Sequence, residues 1–221
     1  SLLTTHYSLL TTLLNFKMST YRFDRQTFGD PANAGNVLTR TEAYQLLTDW
    51  VVNERLRLHM RQVAHLMNRW AVERESLSEA DQWRWEMAGL LHDADWDQWP
   101  DQHCRLIVEE LEQRNIDPEI IHAIASHGPA YFGVDPAGRM GHMLYAFDEL
   151  SGFLHAYALM RPNRYEGMAI NKVVKQLKDK RFAANVSRED IQDAATRCGV
   201  ELEELIGFAI RHQGDVPEQM A

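Results

Sequence analysis

The sequence predicts an all-α fold. Apolar residues recur at steps of three and four almost everywhere after Thr41, the spacing that lays one face of a helix along a core. No run of four to eight residues alternates β-branched and polar side chains as a half-buried strand does. Residues that cap helices, among them Ser78, Asp117 and Ser187, stand directly before apolar-periodic segments.

The first helical region is expected from about Thr41 to Arg74, divided at Asn53, with Leu56, His59, Val63, Leu66 and Trp70 on one stripe. Ser78, with Asp81 at N3, starts a helix that buries Trp83, Met87, Leu90 and Leu91 and ends at His92-Asp93. Ala94 to Pro100 is then a tight acidic turn. Asp101 is expected to cap the next helix, through Leu106, Ile107 and Leu111 to Asn115, and Asp117-Pro118 opens another that ends at His127-Gly128-Pro129. Four glycines and two prolines between Gly128 and Gly141 predict a loop long enough to act as a lid. A long helix follows from about Met140 to Met160. Additional C-terminal helices carry Ile170, Val173, Val174 and Leu177 inside, restart at Ser187-Arg188-Glu189-Asp190, stop at Gly199 and run on to about Arg211.

Domain organisation follows from these limits: an N-terminal extension over 1–40, one domain over 41–213 and a tail over 214–221. Within the extension, residues 1–17 lack a basic region and an A-x-A site, and Met18-Ser19-Thr20 resembles a natural start, so the first 17 residues are expected to lie upstream of it. Composition is that of a globular chain, 45% hydrophobic and 25% charged, which excludes wholesale disorder. The net charge of −9 repels phosphate backbones and anionic lipid, so neither nucleic acid nor membrane is the expected partner. The longest apolar stretch, interrupted by Asp148 and Glu149, falls short of the ~20 residues that span a bilayer. Cys104 and Cys198 form no CxxC pair, which fits a reducing, cytoplasmic location, and both are read as inert. Trp83, Trp85, Trp96 and Trp99 are read as packing residues.

Three helix-associated positions carry the chemistry: His59 on its apolar stripe, His92-Asp93 closing an apolar helix, and Asp148 inside Leu-Tyr-Ala-Phe-Asp-Glu-Leu. Ionised carboxylates in apolar surroundings are costly unless paired or bound to metal. Two imidazoles and two carboxylates make an N/O ligand set suited to Mn²⁺, Fe²⁺, Mg²⁺ or Zn²⁺.

A His, then an adjacent His-Asp, then a distant Asp on successive helices resembles the motif of the HD-domain superfamily of metal-dependent phosphohydrolases. Here those residues are His59, His92-Asp93 and Asp148. The blocks Leu-Leu-His-Asp-Ala-Asp, Ala-Ile-Ala-Ser-His-Gly, Tyr-Ala-Phe-Asp-Glu-Leu-Ser-Gly-Phe and Lys-Asp-Lys-Arg-Phe-Ala-Ala extend the resemblance over roughly residues 45–212, closest to a branch of predicted HD-superfamily hydrolases. The resemblance implies an HD-type helical bundle and one or two divalent ions per chain. It also places His103 and His127 where binuclear members carry extra ligands, with Asp93 bridging. Stringent-response nucleotide hydrolases of the superfamily carry His-Asp-x-x-Glu-Asp, and Trp96 stands here in place of that Glu.

The activity implied is hydrolysis of a nucleotide or other small phosphoester by metal-activated water, with Asp95, Asp97 or Glu149 orienting or deprotonating that water beside Asp93. Lys172, Lys175, Lys178, Lys180 and Arg181, with Arg161 and Arg164, form a basic cluster expected to receive substrate phosphates. A phosphate-bearing small molecule is the expected partner, with a homodimer among the possible assemblies. Two other readings stay open: an HD-like di-iron oxygenase, and an inactive regulatory or binding HD module.

Overall fold

The computed structural model describes residues 34–219. The readings for residues 1–17 and the Met18 start therefore lie outside the described residues. The described residues form helices joined by turns and loops, with an isolated bridge between Asn36 and Ile116; among them there is no sheet.

Capping chemistry places most of the helices. Thr39 and Glu42 form a capping box that starts α1 (Arg40–Trp50). The Asn53 side chain accepts from the Arg55 and Leu56 amides and starts α2 (Glu54–Glu73), so Asn53 does divide the first helical region. Ser78 accepts from the Asp81 amide and starts α3 (Glu79–Leu91). The expected cap at Asp101 is not found. Pro100 instead opens a 3-10 turn over Pro100–Gln102 that includes Asp101, and α4 (Arg105–Gln113) begins after Cys104 with no side-chain cap. Asp117, with Pro118 in the first turn, starts α5 (Pro118–Ala125).

The loop expected between Gly128 and Gly141 is also shorter than its composition suggests. Pro129 at the first helical position opens a short helix, α6 (Pro129–Phe132), and α7 (Gly138–Leu159) starts at the third of the four glycines. Phe132 is buried, with its ring 5.1 Å from both the His103 and His127 rings, so this segment is a packed wall instead of a long lid. The remaining helices are α8 (Ile170–Leu177), α9 (Arg188–Cys198), which starts at Ser187 and stops at left-handed Gly199, and α10 (Leu202–His212). In α8 only Val173 is fully buried, and Ile170 is exposed. A 3-10 turn over Gln213–Asp215 follows α10 where a tail was expected.

Helix α7 is the axis of the molecule, packed against α2, α5, α9 and α10, while α3 packs along α2. The α2–α3 contact is close because residue 89 is glycine: a Cβ there would stand 2.8 Å from the Ala64 backbone. Trp70 anchors the core from α2, its ring 5.6 Å from Phe147 on α7 and 4.9 Å from Phe208 on α10, both edge-on. On α3 the buried tryptophan is Trp85, while Trp83 is half-buried and donates to the Leu38 carbonyl.

Candidate metal centre

Helices α2, α3, α5 and α7 and the turns after α3 and α5 bring His59, His92, Asp93, His103, His127 and Asp148 together. The six residues fall into two groups able to hold an ion, one of His59, His92, Asp93 and Asp148 and one of Asp93, His103 and His127. Asp93 belongs to both, and its two oxygens are divided between them. Oδ2 lies 3.9 Å from His59 Nε2 and 3.5 Å from His92 Nε2, and Oδ1 lies 3.3 Å from His103 Nε2 and 3.4 Å from His127 Nε2. Asp148 Oδ1 completes the first group at 3.0 Å from His59 Nε2 and 3.3 Å from His92 Nε2.

Three of the imidazoles are oriented from behind through Nδ1. His92 donates to the Gly89 carbonyl at 2.8 Å, His127 to the Ile124 carbonyl at 2.6 Å, and His103 to Asp95 Oδ1 at 2.6 Å. With the Nδ1 proton committed, the Nε2 lone pair of the neutral ring points at a carboxylate. Lone pair and carboxylate repel unless a proton or a cation lies between them. His92 Nε2 is buried with no hydrogen-bond partner. The donor set and this orphaned nitrogen fit a divalent cation with N/O ligation.

The same demand shows in the ionisation of the cluster. Burial alone holds the His92 imidazole neutral, but the charges of Asp93 and Asp148 outweigh it and raise its pKa to about 9. Burial pushes the Asp93 carboxyl up, whereas His92, the bond from His127 and His103 carry it far below the usual carboxylate range. Asp148 is lowered likewise, against burial, by His59 and His92. Glu149 moves the other way, to about 8, because burial and the neighbouring Asp148 charge outweigh the Ser187 amide that it accepts from.

A cavity of about 490 Å³ opens onto these residues. His59, Asp93, His103, His127, Asp148 and Glu149 face it, with Trp96 and Phe132 as an aromatic wall. Among the described residues no lysine or arginine lines it. Lys172, Lys175 and Lys178 stand on the exposed face of α8, Lys180 pairs with Glu189, and Arg161 donates to the Arg164 and Glu166 carbonyls. The basic cluster is thus a solvated helix face and its neighbouring turns, away from the cavity, and the phosphate-receiving role expected of it finds no support in this placement.

The two further aspartates are also elsewhere. Asp95 is fully buried behind His103, where it also accepts from the Ile107 amide at 2.9 Å, so it orients the His103 ring and does not line the cavity. Asp97 Oδ2 accepts from the Val52 and Asn53 amides at 2.7 and 2.8 Å and ties the acidic turn to the α1–α2 junction. Glu149 does line the cavity. Asp190 lines it as well, a residue read from the sequence only as part of a helix start. Its signal as a capping residue concealed that placement.

No described helix is long and apolar enough to cross a membrane. Among curated proteins and among solved structures no match to the chain is found. A family model described as HD domain matches residues 57–177, a span that opens just before His59 and closes beyond Asp148. It covers all six converging residues, and the chain belongs to the HD superfamily of metal-dependent phosphohydrolases.

Proposed function

We propose that the protein hydrolyses a nucleotide or another small phosphoester at a centre of two divalent ions. The observation that carries this reading is the division of Asp93, whose Oδ1 and Oδ2 face separate imidazole pairs. His59, His92, Asp93 and Asp148 would hold one ion, and Asp93, His103 and His127 the other. Mn²⁺, Fe²⁺, Mg²⁺ and Zn²⁺ all suit such ligands. When bound, such ions lower the pKa of a coordinated water and offset charge on phosphoryl oxygens.

The chain's own groups supply the rest. In hydrolysis the water oxygen bonds to phosphorus, the P–O ester bond breaks, and the water proton passes to the leaving oxygen. Glu149, on the cavity wall beside Asp148, is the carboxyl to which this reading assigns taking and returning that proton. His103 and His127, oriented by Asp95 and the Ile124 carbonyl, keep their Nε2 atoms turned inward. Trp96 and Phe132 offer an apolar surface to the non-phosphate part of the substrate and keep water from that side. With no basic side chain among the described residues on the wall, the reading favours a substrate bearing few phosphates.

The test is phosphoester turnover and elemental analysis on full-length protein, wild type against Asp93→Ala. Turnover of a small aryl or nucleoside phosphate by wild type under anaerobic conditions is expected, with a loss of at least about 100-fold in the variant together with its centre metal. No turnover by metal-replete wild type overturns the reading, and turnover that requires O₂ moves it to the oxygenase class.

A further inference from the structure

A second group of ligand-bearing side chains lies outside this centre, where α10 and the turn after it meet α2. His65 comes from α2, His212 ends α10, and Asp215 belongs to the 3-10 turn. One ligand atom from each lies within 4.8 Å of the other two. His65 Nε2 is 3.8 Å and His212 Nδ1 4.0 Å from the same oxygen, Asp215 Oδ2.

These separations are too long for hydrogen bonds, which close to about 2.7–3.2 Å. They are nearer to the spacing of ligands around one ion: two atoms each about 2.1 Å from a tetrahedral cation lie about 3.4 Å apart, so a small inward swing of the exposed Asp215 side chain closes the set. His65 Nε2 is buried and has no hydrogen-bond partner.

The surroundings of His212 add an independent observation. Its other nitrogen, Nε2, is buried with no hydrogen-bond partner and has Glu73 Oε2 behind it at 3.3 Å, and Glu73 is itself paired with Arg69. A carboxylate behind the distal nitrogen of a histidine is the arrangement that orients metal-bound imidazoles. The turn is also anchored beside the group, since Gln213 Nε2 donates to Gln62 Oε1 at 3.1 Å and to the Ser151 carbonyl at 2.9 Å.

We propose that His65, His212 and Asp215 form a further divalent-cation site of the zinc class, which fastens the turn after α10 to α2. Two imidazoles and one carboxylate leave a fourth position for water. The site shares no residue with the centre around Asp93, so it stands or falls independently of the proposed hydrolysis.

The experiment is zinc loading of the full-length chain, followed by gel filtration and elemental analysis, with thermal melts in the presence and absence of zinc. Asp215→Asn and His65→Gln are each expected to lower zinc content by one equivalent per chain and to reduce the zinc-dependent rise in Tm. Asp93→Ala is expected to keep that equivalent. Equal zinc content in wild type and Asp215→Asn overturns the proposal and leaves the three residues as a proton-sharing cluster. Asp215 is exposed, so its variant decides the matter even if His65→Gln fails to fold.

Discussion

Asp95 shows how much of the centre depends on a side chain that never reaches the cavity. It fixes the His103 tautomer through Nδ1 and holds the start of α4 through the Ile107 amide. Asp95→Asn is therefore expected to weaken metal affinity at the His103 and His127 group by roughly 10–100-fold, measured by competition with a chromogenic chelator, while the His59 group is left near wild type. His92 gives a pH dependence with a definite sign. Its folded pKa, about 9, lies above the ordinary histidine value. Its ion pairs therefore stabilise the metal-free fold fully below about pH 6.5 and lose that contribution as pH rises through about 9. Denaturant melts of chelator-treated protein at the two ends of this window should show lower stability at the alkaline end. Metal uptake should strengthen over the same window, because the ion displaces that proton. At this scale the sequence disclosed His59, His92, Asp93 and Asp148 because their order and helix-end positions are local signals. It concealed the facing of Asp97 and of the α8 lysines, since charge alone does not say which way a side chain points. His65, His212 and Asp215 carried no signal, being joined only by the packing of α10 on α2.

Between elements, the decisive contact is the one between α2 and α3, because the first helix carries His59 and the second delivers His92 and Asp93. Gly89 sets that spacing, and its carbonyl also orients His92. Gly89→Ala would press a methyl group against the Ala64 backbone, at an expected cost of about 1–3 kcal/mol by denaturant melts, and would move His92 away from His59. A parallel loss of metal affinity checks the second effect, and unchanged affinity would separate helix spacing from the centre. The α8 surface gives the opposite expectation. Reversal of charge at Lys175 and Lys178 should leave KM for a phosphoester unchanged, since both are exposed and neither lines the cavity. Element ends were legible where a capping side chain directly precedes an apolar-periodic run, as at Asn53, Ser78, Asp117 and Ser187, although the Thr39 cap of α1 was not read. They were misread where proline chemistry competed: Pro100 and Pro129 each start a short helical turn in segments whose composition suggested a cap or a loop.

For the molecule as a whole, periodicity disclosed the all-α architecture, because α3, α5, α9 and α10 each lay an apolar stripe on α7 or α2. What periodicity does not give is the pairing of stripes, and so Trp96, Phe132 and Asp190 were not foreseen together on one cavity wall. Trp70 ties α2, α7 and α10 into a single core, and Trp70→Ala is expected to cost about 3–5 kcal/mol, read as a fall in the midpoint of unfolding with loss of the Gln213–Asp215 anchorage. The shared carboxylate of Asp93 has a thermodynamic consequence as well. Two binding equilibria that draw on one ligand are linked, and linkage is reciprocal. At the proposed two-ion centre, whatever the first cation does to the affinity for the second, the second would do equally to the first, so loading is expected to follow a single coupled isotherm in place of two independent ones.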